Sequence, residues 1–162
     1  LRAAKITLLL KFFVRVGSHY NSLTMSKVSI IIPIFKVRNF IERCVCSLFE
    51  QTLTDVEYIF VDDASPDDSI DILKACIERY PERKGQVRIL VHEQNQGLPA
   101  ARNTGLAVAT GEYVFHCDSD DFVEKDMLEE MYRAAKAKDA AADTTTERAK
   151  AAAVVTATNQ LP

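Results

Sequence analysis

No cluster of lysines or arginines stands out in the 162-residue sequence, and the formal net charge is only −3. Nucleic acid is held through a basic footprint that neutralises its phosphates, so nothing here points to a nucleic-acid partner. A phosphate-bearing ligand must be held by local groups or by a metal. The four cysteines, Cys44, Cys46, Cys76 and Cys117, lack the paired short spacings of a zinc site. Each falls in a segment that reads as buried helix or strand, which predicts reduced core thiols and a cytoplasmic setting. Long hydrophobic runs are absent as well. Residues 6–16 are apolar but interrupted by Lys11 and Arg15, whereas a membrane-spanning helix needs about 20 largely apolar residues. No small-residue cleavage site closes that stretch as a signal peptide requires. Residues 1–24 read as upstream or appended sequence with Met25 as the natural start, and 1–26 as the leader segment ahead of the domain. The alternative is an amphipathic stretch that touches a bilayer surface or a partner chain.

What is present suffices for one ordinary core, since 48% of the residues are hydrophobic and 27% charged. Residues 28–34 are β-branched and nearly continuous in apolar character, as expected of a central parallel strand covered on both faces, and Pro33 is expected to end it. Asn39 followed by Glu42 reads as a capping box, and apolar residues then recur at helical spacing to about Gln51. Residues 57–62 form a second strand, and Ser65 with Pro66 reads as the start of a second helix. A third strand over 87–91, a helix over about 99–110 capped by Gly111, and a fourth strand over 113–117 follow. Strands alternating with helices at this spacing predict an α/β fold, a mostly parallel Rossmann-like sheet flanked by helices, with the domain spanning 27–133. Residues 134–162, rich in Ala and Thr, read as a helical or poorly ordered tail.

In open α/β sheets ligands sit outside the carboxyl ends of the strands, where the loops converge. Those loops hold Pro33 to Lys36, Asp62 to Asp68, Asn95 to Arg102, and Asp118 to Asp121. Three carboxylates within the four residues Asp118-Ser119-Asp120-Asp121 repel one another unless a cation or strong donors compensate. Mg²⁺ or Mn²⁺ suits such hard oxygen ligands, with substrate phosphates and water completing the shell. The alternative is a solvated helix cap formed by Asp120 or Asp121. Asp62-Asp63 can likewise be an acidic turn before a helix. Arg102 and the helix N-terminus near Pro99 offer positive character to a phosphate. His116 should share a face with Val114, opposite Phe115 and Cys117, and reads as a packed histidine.

Taken in order, five segments resemble the family-2 glycosyltransferases of the glycosyltransferase A fold: residues 28–35, Ser47-Leu48 with Gln51, residues 58–67, residues 95–105, and residues 111–121. The resemblance implies a donor-binding half that is truncated after the metal motif. Pro33, Phe35 and Asp63 would border a uracil base, Arg102 would lie beside base and ribose, and Asp118 and Ser119 would approach ribose and diphosphate. Asp120, with Asp118, would bind the metal. It further implies a UDP-sugar donor, a glycan or lipid-linked acceptor, inversion at the anomeric carbon, and a role in envelope polysaccharide synthesis at the inner face of the cell membrane. Peripheral membrane contact and a homodimer are compatible with it. The acidic general base of related enzymes lies well downstream of the metal motif, and neither Asp143 nor Glu147 has the flanking strand to qualify. A non-catalytic nucleotide-binding module is therefore the alternative. Three departures stand out: Lys36 where the family often has Asn, Ala64 where Gly is usual, and His116 where a large apolar residue is common. Ala64 would be awkward in a left-handed backbone.

Overall fold

The structure, a computed structural model, describes the backbone of residues 13–15 and 26–158 and the side chains of residues 26–142. The elements run β1 (Phe13–Arg15), β2 (Val28–Ile34), α1 (Ile41–Phe49), β3 (Val56–Asp62), α2 (Ser69–Arg79), a single 3₁₀ turn, β4 (Val87–Val91), α3 (Leu98–Val108), β5 (Tyr113–His116) and α4 (Met127–Thr158). The sheet order is β1-β5-β2-β3-β4. Strands β5, β2, β3 and β4 are parallel, and β1 adds an antiparallel edge. The predicted α/β class therefore holds, with one strand that the sequence reading did not anticipate. The remainder of the expected leader, residues 1–12 and 16–25, lies outside the described residues.

Burial on both faces explains why the central strands read as nearly continuous apolar runs. Every residue of β2 and of β3 is buried. Ile30, Ile32 and Ile34 face one layer, with Tyr58, Phe60 and the apolar stripes of α1, α2 and the first turns of α4. Ile31 faces the other, with Ile59, Val61, Val114 and Ala101 of α3. Each such fully buried aliphatic side chain stabilises the fold by about 1.5–3 kcal/mol. Val114 lies in the α3 layer while Phe115 and Cys117 lie in the opposite one, so the alternation predicted around His116 is the observed one. Among the described residues no helix is long and apolar enough to cross a membrane.

Several expected boundaries are corrected. Pro33 does not end β2, which continues to Ile34 and pairs Pro33 with Val61. On the other flank the pairing with β5 has already stopped at Ile31 and His116, so a residue without an N–H leaves no donor unpaired there. Asn39 does not cap α1; Phe40 occupies that position without a side-chain cap bond. Ser65 and Pro66 precede α2 rather than starting it, because Ser65 is drawn into a loop network described below. Neither Asp120 nor Asp121 caps α4, which begins at Met127. Gly111 is not a helix cap either. Its N–H donates to Ser29 Oγ at 2.7 Å and to Glu57 Oε1 at 3.1 Å, and a Cβ there would lie 2.5 Å from the Ser29 nitrogen. Glycine is required because backbone packs on backbone where α3 hands over to β5.

Two of the three departures from the family pattern fall where the backbone is left-handed: Lys36 at φ 56° and Ala64 at φ 55°. Gly, which has no Cβ, and Asn, whose side chain can hydrogen-bond locally, adopt that conformation more readily than other L-residues, for which it costs about 1–2 kcal/mol. Ala64→Gly is therefore expected to raise stability by about 1 kcal/mol, less the added entropy of the unfolded chain. Urea unfolding of the two proteins measures it; a loss of stability would show that the turn does not strain Ala64.

Candidate functional site

Beyond Ile31 the central strand has no partner on its β5 side. The last ladder bond runs from the Cys117 N–H to the Ile31 carbonyl at 3.0 Å. The opening lies between β2 and β5, where the strand order reverses, which is the position that ligands take in open α/β sheets. A cleft of about 400 Å³ occupies it, lined by Pro33, Ile34, Phe35, Val37, Asp63, Asn95, Gly97, Leu98, Ala101, Asp118, Ser119 and Asp120. Six of the seven residues singled out from the sequence thus line one cleft. The seventh, Arg102, reaches it through Asp118, to which its Nη2 donates at 2.6 Å.

The acidic loop after β3 works mainly as scaffolding. The Ser65 N–H donates to Asp62 Oδ1 at 2.9 Å, closing the turn. Ser65 Oγ accepts from the Lys36 N–H at 2.8 Å, Ser69 Oγ from the Val37 N–H at 3.1 Å, and Asp67 Oδ2 from the Arg38 N–H at 3.2 Å. Three consecutive amides of the β2–α1 loop are thereby fixed from the neighbouring loop, and they hold Phe35 at the cleft wall. That ring is 40% exposed and carries the Lys36 ammonium 5.1 Å from its centroid. Burial alone would raise the Asp67 carboxyl. The Ser69 and Ser65 hydroxyls and the N–H groups of Ser69 and Arg38 outweigh it and hold the pKa at about 2.

Asp63 is 3% exposed and binds the loop after β4. Its Oδ1 accepts from the Gln96 N–H at 2.8 Å and meets His92 Nδ1 at 2.7 Å, and its Oδ2 accepts from the Gly97 N–H at 2.8 Å. Burial pushes this carboxyl up, but the Gln96 N–H, His92 and the Gly97 N–H together bring it below its ordinary range. Gly97 sits at φ 88° and ψ 162°, a region that essentially only glycine occupies, and it delivers the chain into α3. Leu98 and Ala101 bring the N-terminus of that helix, with its partial positive charge, to the cleft wall.

The loop after β5 is the most polar wall. Cys44 Sγ and Cys117 Sγ lie 3.8 and 3.6 Å from the Asp118 carbonyl and donate to it from beneath. Hydrogen bonding to Cys44, together with burial, pushes the Cys117 thiol well above its ordinary pKa, so it stays protonated. Arg102 Nε and His116 Nδ1 are buried without a partner among the described residues. Burial and the adjacent Arg102 lower the His116 pKa against the pull of Asp118, so its imidazole is neutral at pH 7. Asp120 is exposed and its carboxylate makes no hydrogen bond or ion pair among the described residues. Further on, the chain is clamped to α1. Ser47 Oγ accepts from the Val123 N–H, Gln51 Nε2 donates to the Glu124 carbonyl, and Gln51 Oε1 accepts from the Leu128 N–H. Arg43 stacks 4.0 Å from the centre of the Phe122 ring. Sequence reasoning noted Ser47 and Gln51 without a role, and it missed His92 altogether. The contact of His92 with Asp63 spans 29 residues and leaves no periodic trace.

The Asp67 network makes a pH dependence. A carboxyl held at about 2, against 3.8 when unperturbed, contributes stability that is complete above pH 3.8 and lost as pH falls through 2. Asp67→Asn should lower stability at neutral pH and leave a shallower acid limb. Urea midpoints measured from about pH 2 to pH 7 test this, and parallel curves for the two proteins would contradict it.

The family model described as Glycosyl transferase family 2 matches residues 29–156. The Bacillus subtilis protein described as uncharacterized glycosyltransferase EpsJ is 43% identical over 104 residues, covering 64% of this chain and 29% of that one. Cholesterol galactosyltransferase of Borreliella burgdorferi is 40% identical over 111 residues, covering 68% and 30%. Among solved structures, residues 1–349 of S. aureus TarS in complex with UDP superimpose with a TM-score of 0.58 at 31% identity, covering 64% of this chain and 30% of that one; a complex with UDP-GlcNAc matches equally. The chain therefore spans less than a third of the length of these relatives. With the family model matched across most of its sequence and the sheet order, cleft and loop motifs in place, the chain belongs to glycosyl transferase family 2.

Proposed function

We propose that the cleft binds a UDP-sugar and that the protein transfers the sugar, with inversion at the anomeric carbon, to the hydroxyl of a glycan or lipid-linked acceptor. The observation that carries this reading is the convergence of the β2, β3, β4 and β5 loops on one cleft at the point where the strand order reverses. The relative TarS, solved with UDP and with UDP-GlcNAc, supports the choice of nucleotide.

The half-exposed face of Phe35 offers the base a stacking surface. A carboxylate has about four lone-pair positions, and those of Asp63 are engaged by Gln96, Gly97 and His92. One acceptor position remains on Oδ2. A base with an imide N–H, such as uracil, matches it, whereas cytosine and adenine present a bare ring nitrogen there. Arg102, paired with Asp118 at the cleft wall, and the N-terminus of α3 supply positive charge for ribose and diphosphate.

The donor set also fits a divalent metal. Asp118, Ser119 and Asp120 present hard oxygens to the cleft, Asp120 without a competing partner. Among the described residues no group of three or more metal-binding side chains occurs. Two carboxylates from the protein, completed by phosphate and water, is the arrangement that Mg²⁺ or Mn²⁺ favours. Such an ion, when bound, neutralises charge that builds on the departing nucleoside diphosphate.

Thermal unfolding with UDP, with and without Mn²⁺, tests the reading. Ligand at about 100 times its Kd stabilises the native state by roughly 2.7 kcal/mol. Wild-type protein should gain such a shift with UDP and Mn²⁺ together, and Asp120→Ala should lose the metal-dependent part. Phe35→Ala should weaken UDP binding at least about fivefold, the lower end of what base stacking on an aromatic contributes. The absence of a shift with any nucleoside diphosphate would refute the donor site, and an undiminished metal effect in Asp120→Ala would refute the ligand assignment.

A further inference from the structure

We infer that His92 is a positioning residue for base recognition: with Thr104 it locks the direction of the Asp63 carboxylate and thereby sets selectivity for a uracil nucleotide. The inference rests on the reading of the cleft as a uridine-nucleotide site.

His92 and Asp63 are both more than nine-tenths buried, with side chains 8% and 4% exposed. An ionised carboxylate accepts hydrogen bonds only, so the contact of 2.7 Å between His92 Nδ1 and Asp63 Oδ1 requires the hydrogen on Nδ1. Nε2 meets the Thr104 hydroxyl 2.9 Å away, and a hydroxyl can either donate to a bare ring nitrogen or accept from a protonated one. The ring is held at both ends, and this fixes its plane, while the carboxylate keeps a hydrogen on Nδ1.

The arrangement matters because the other partners of Asp63 are not independent of it. Gln96 and Gly97 belong to a loop that Asp63 itself organises, and Asn95 Nδ2 donates back to the Asp63 carbonyl. Carboxylate and loop hold one another, and by themselves they could shift together. His92 follows β4 directly, with its N–H donating to the Asp62 carbonyl at 2.8 Å, and Thr104 lies in the middle of α3. The pair ties Asp63 to two rigid elements, and only then does its free lone pair have a defined direction. A carboxylate held in one direction favours a base that presents an N–H there and disfavours one that presents a lone pair, and that difference is specificity.

The experiment compares UDP with CDP, because cytosine N3 carries no hydrogen for Asp63 to accept. Wild-type protein should bind UDP more tightly than CDP. His92→Leu, which removes the donor, should reduce that ratio roughly tenfold, the lower bound for a hydrogen bond to a charged group. His92→Asn, which keeps an N–H near Nδ1, should retain most of it. A purely structural His92 would lower the unfolding temperature in these variants without moving the ratio. A His92→Leu protein that folds and keeps the wild-type ratio overturns the inference while leaving the donor site intact. A wild-type protein that binds UDP and CDP alike overturns the inference together with the uracil reading on which it rests. Long-range ¹⁵N–¹H spectra of the wild type without nucleotide give a readout that needs no variant to fold: the hydrogen should reside on Nδ1, and a neutral ring with the hydrogen on Nε2 overturns the inference.

Discussion

A central strand that outruns its neighbour is the constraint on which the site depends. β2 pairs with β3 through Ile34 but with β5 only to Ile31, so its final residues border a gap in the sheet. Pro33 suits that position because it has no N–H to leave unpaired. β5 ends by turning the chain outward at Asp118, and its motif becomes the opposite wall. The crevice itself follows from strand lengths and strand order. The chemistry is then set by which side chains the loops bring to it.

Most polar residues near the crevice stabilise loops rather than face a ligand. Ser65, Asp67 and Ser69 hold three amides of the β2–α1 loop, Asp63 holds two amides of the β4–α3 loop, and Ser47 and Gln51 hold the segment after the acidic motif. Loops need such bonds because their backbone groups lack ladder partners near a buried sheet edge. The division of labour is physical: saturated residues fix the walls, while the Asp120 carboxylate and the remaining lone pair of Asp63 have no partner among the described residues. The long cleft-facing segments of this family motif are therefore largely structural, and few of their side chains are free to meet a ligand.

The strands and the edge at which the loops meet were legible because burial on both faces leaves nearly continuous apolar runs, as at residues 28–34 and 56–62. The face of His116 was legible from simple alternation. The start of α3, expected near 99 and found at Leu98, was legible as well, but the boundaries expected at Ser65 and Gly111 were not, because distant partners decide them. Ser65 has a capping residue's chemistry but is taken by Lys36, and Gly111 has a C-cap's chemistry but is needed for contact with Ser29. His92 left no signal for the same reason, since its partners are reached only when β3, β4 and α3 assemble. The strain expected at Ala64 could be read from the sequence once a left-handed turn was allowed for, and Lys36 proved to be its counterpart in the facing loop.

The central claim is that one crevice between β2 and β5 gathers nucleotide and metal. Backbone amide resonances followed during titration with UDP and a trace of Mn²⁺ test it most directly, since a paramagnetic ion broadens the nuclei near it. Shifts confined to residues 34–37, 63, 96–98 and 118–120, with Mn²⁺ broadening strongest at Asp118 to Asp120, are the predicted result. Shifts centred on another face of the sheet, or broadening remote from Asp120, would contradict it.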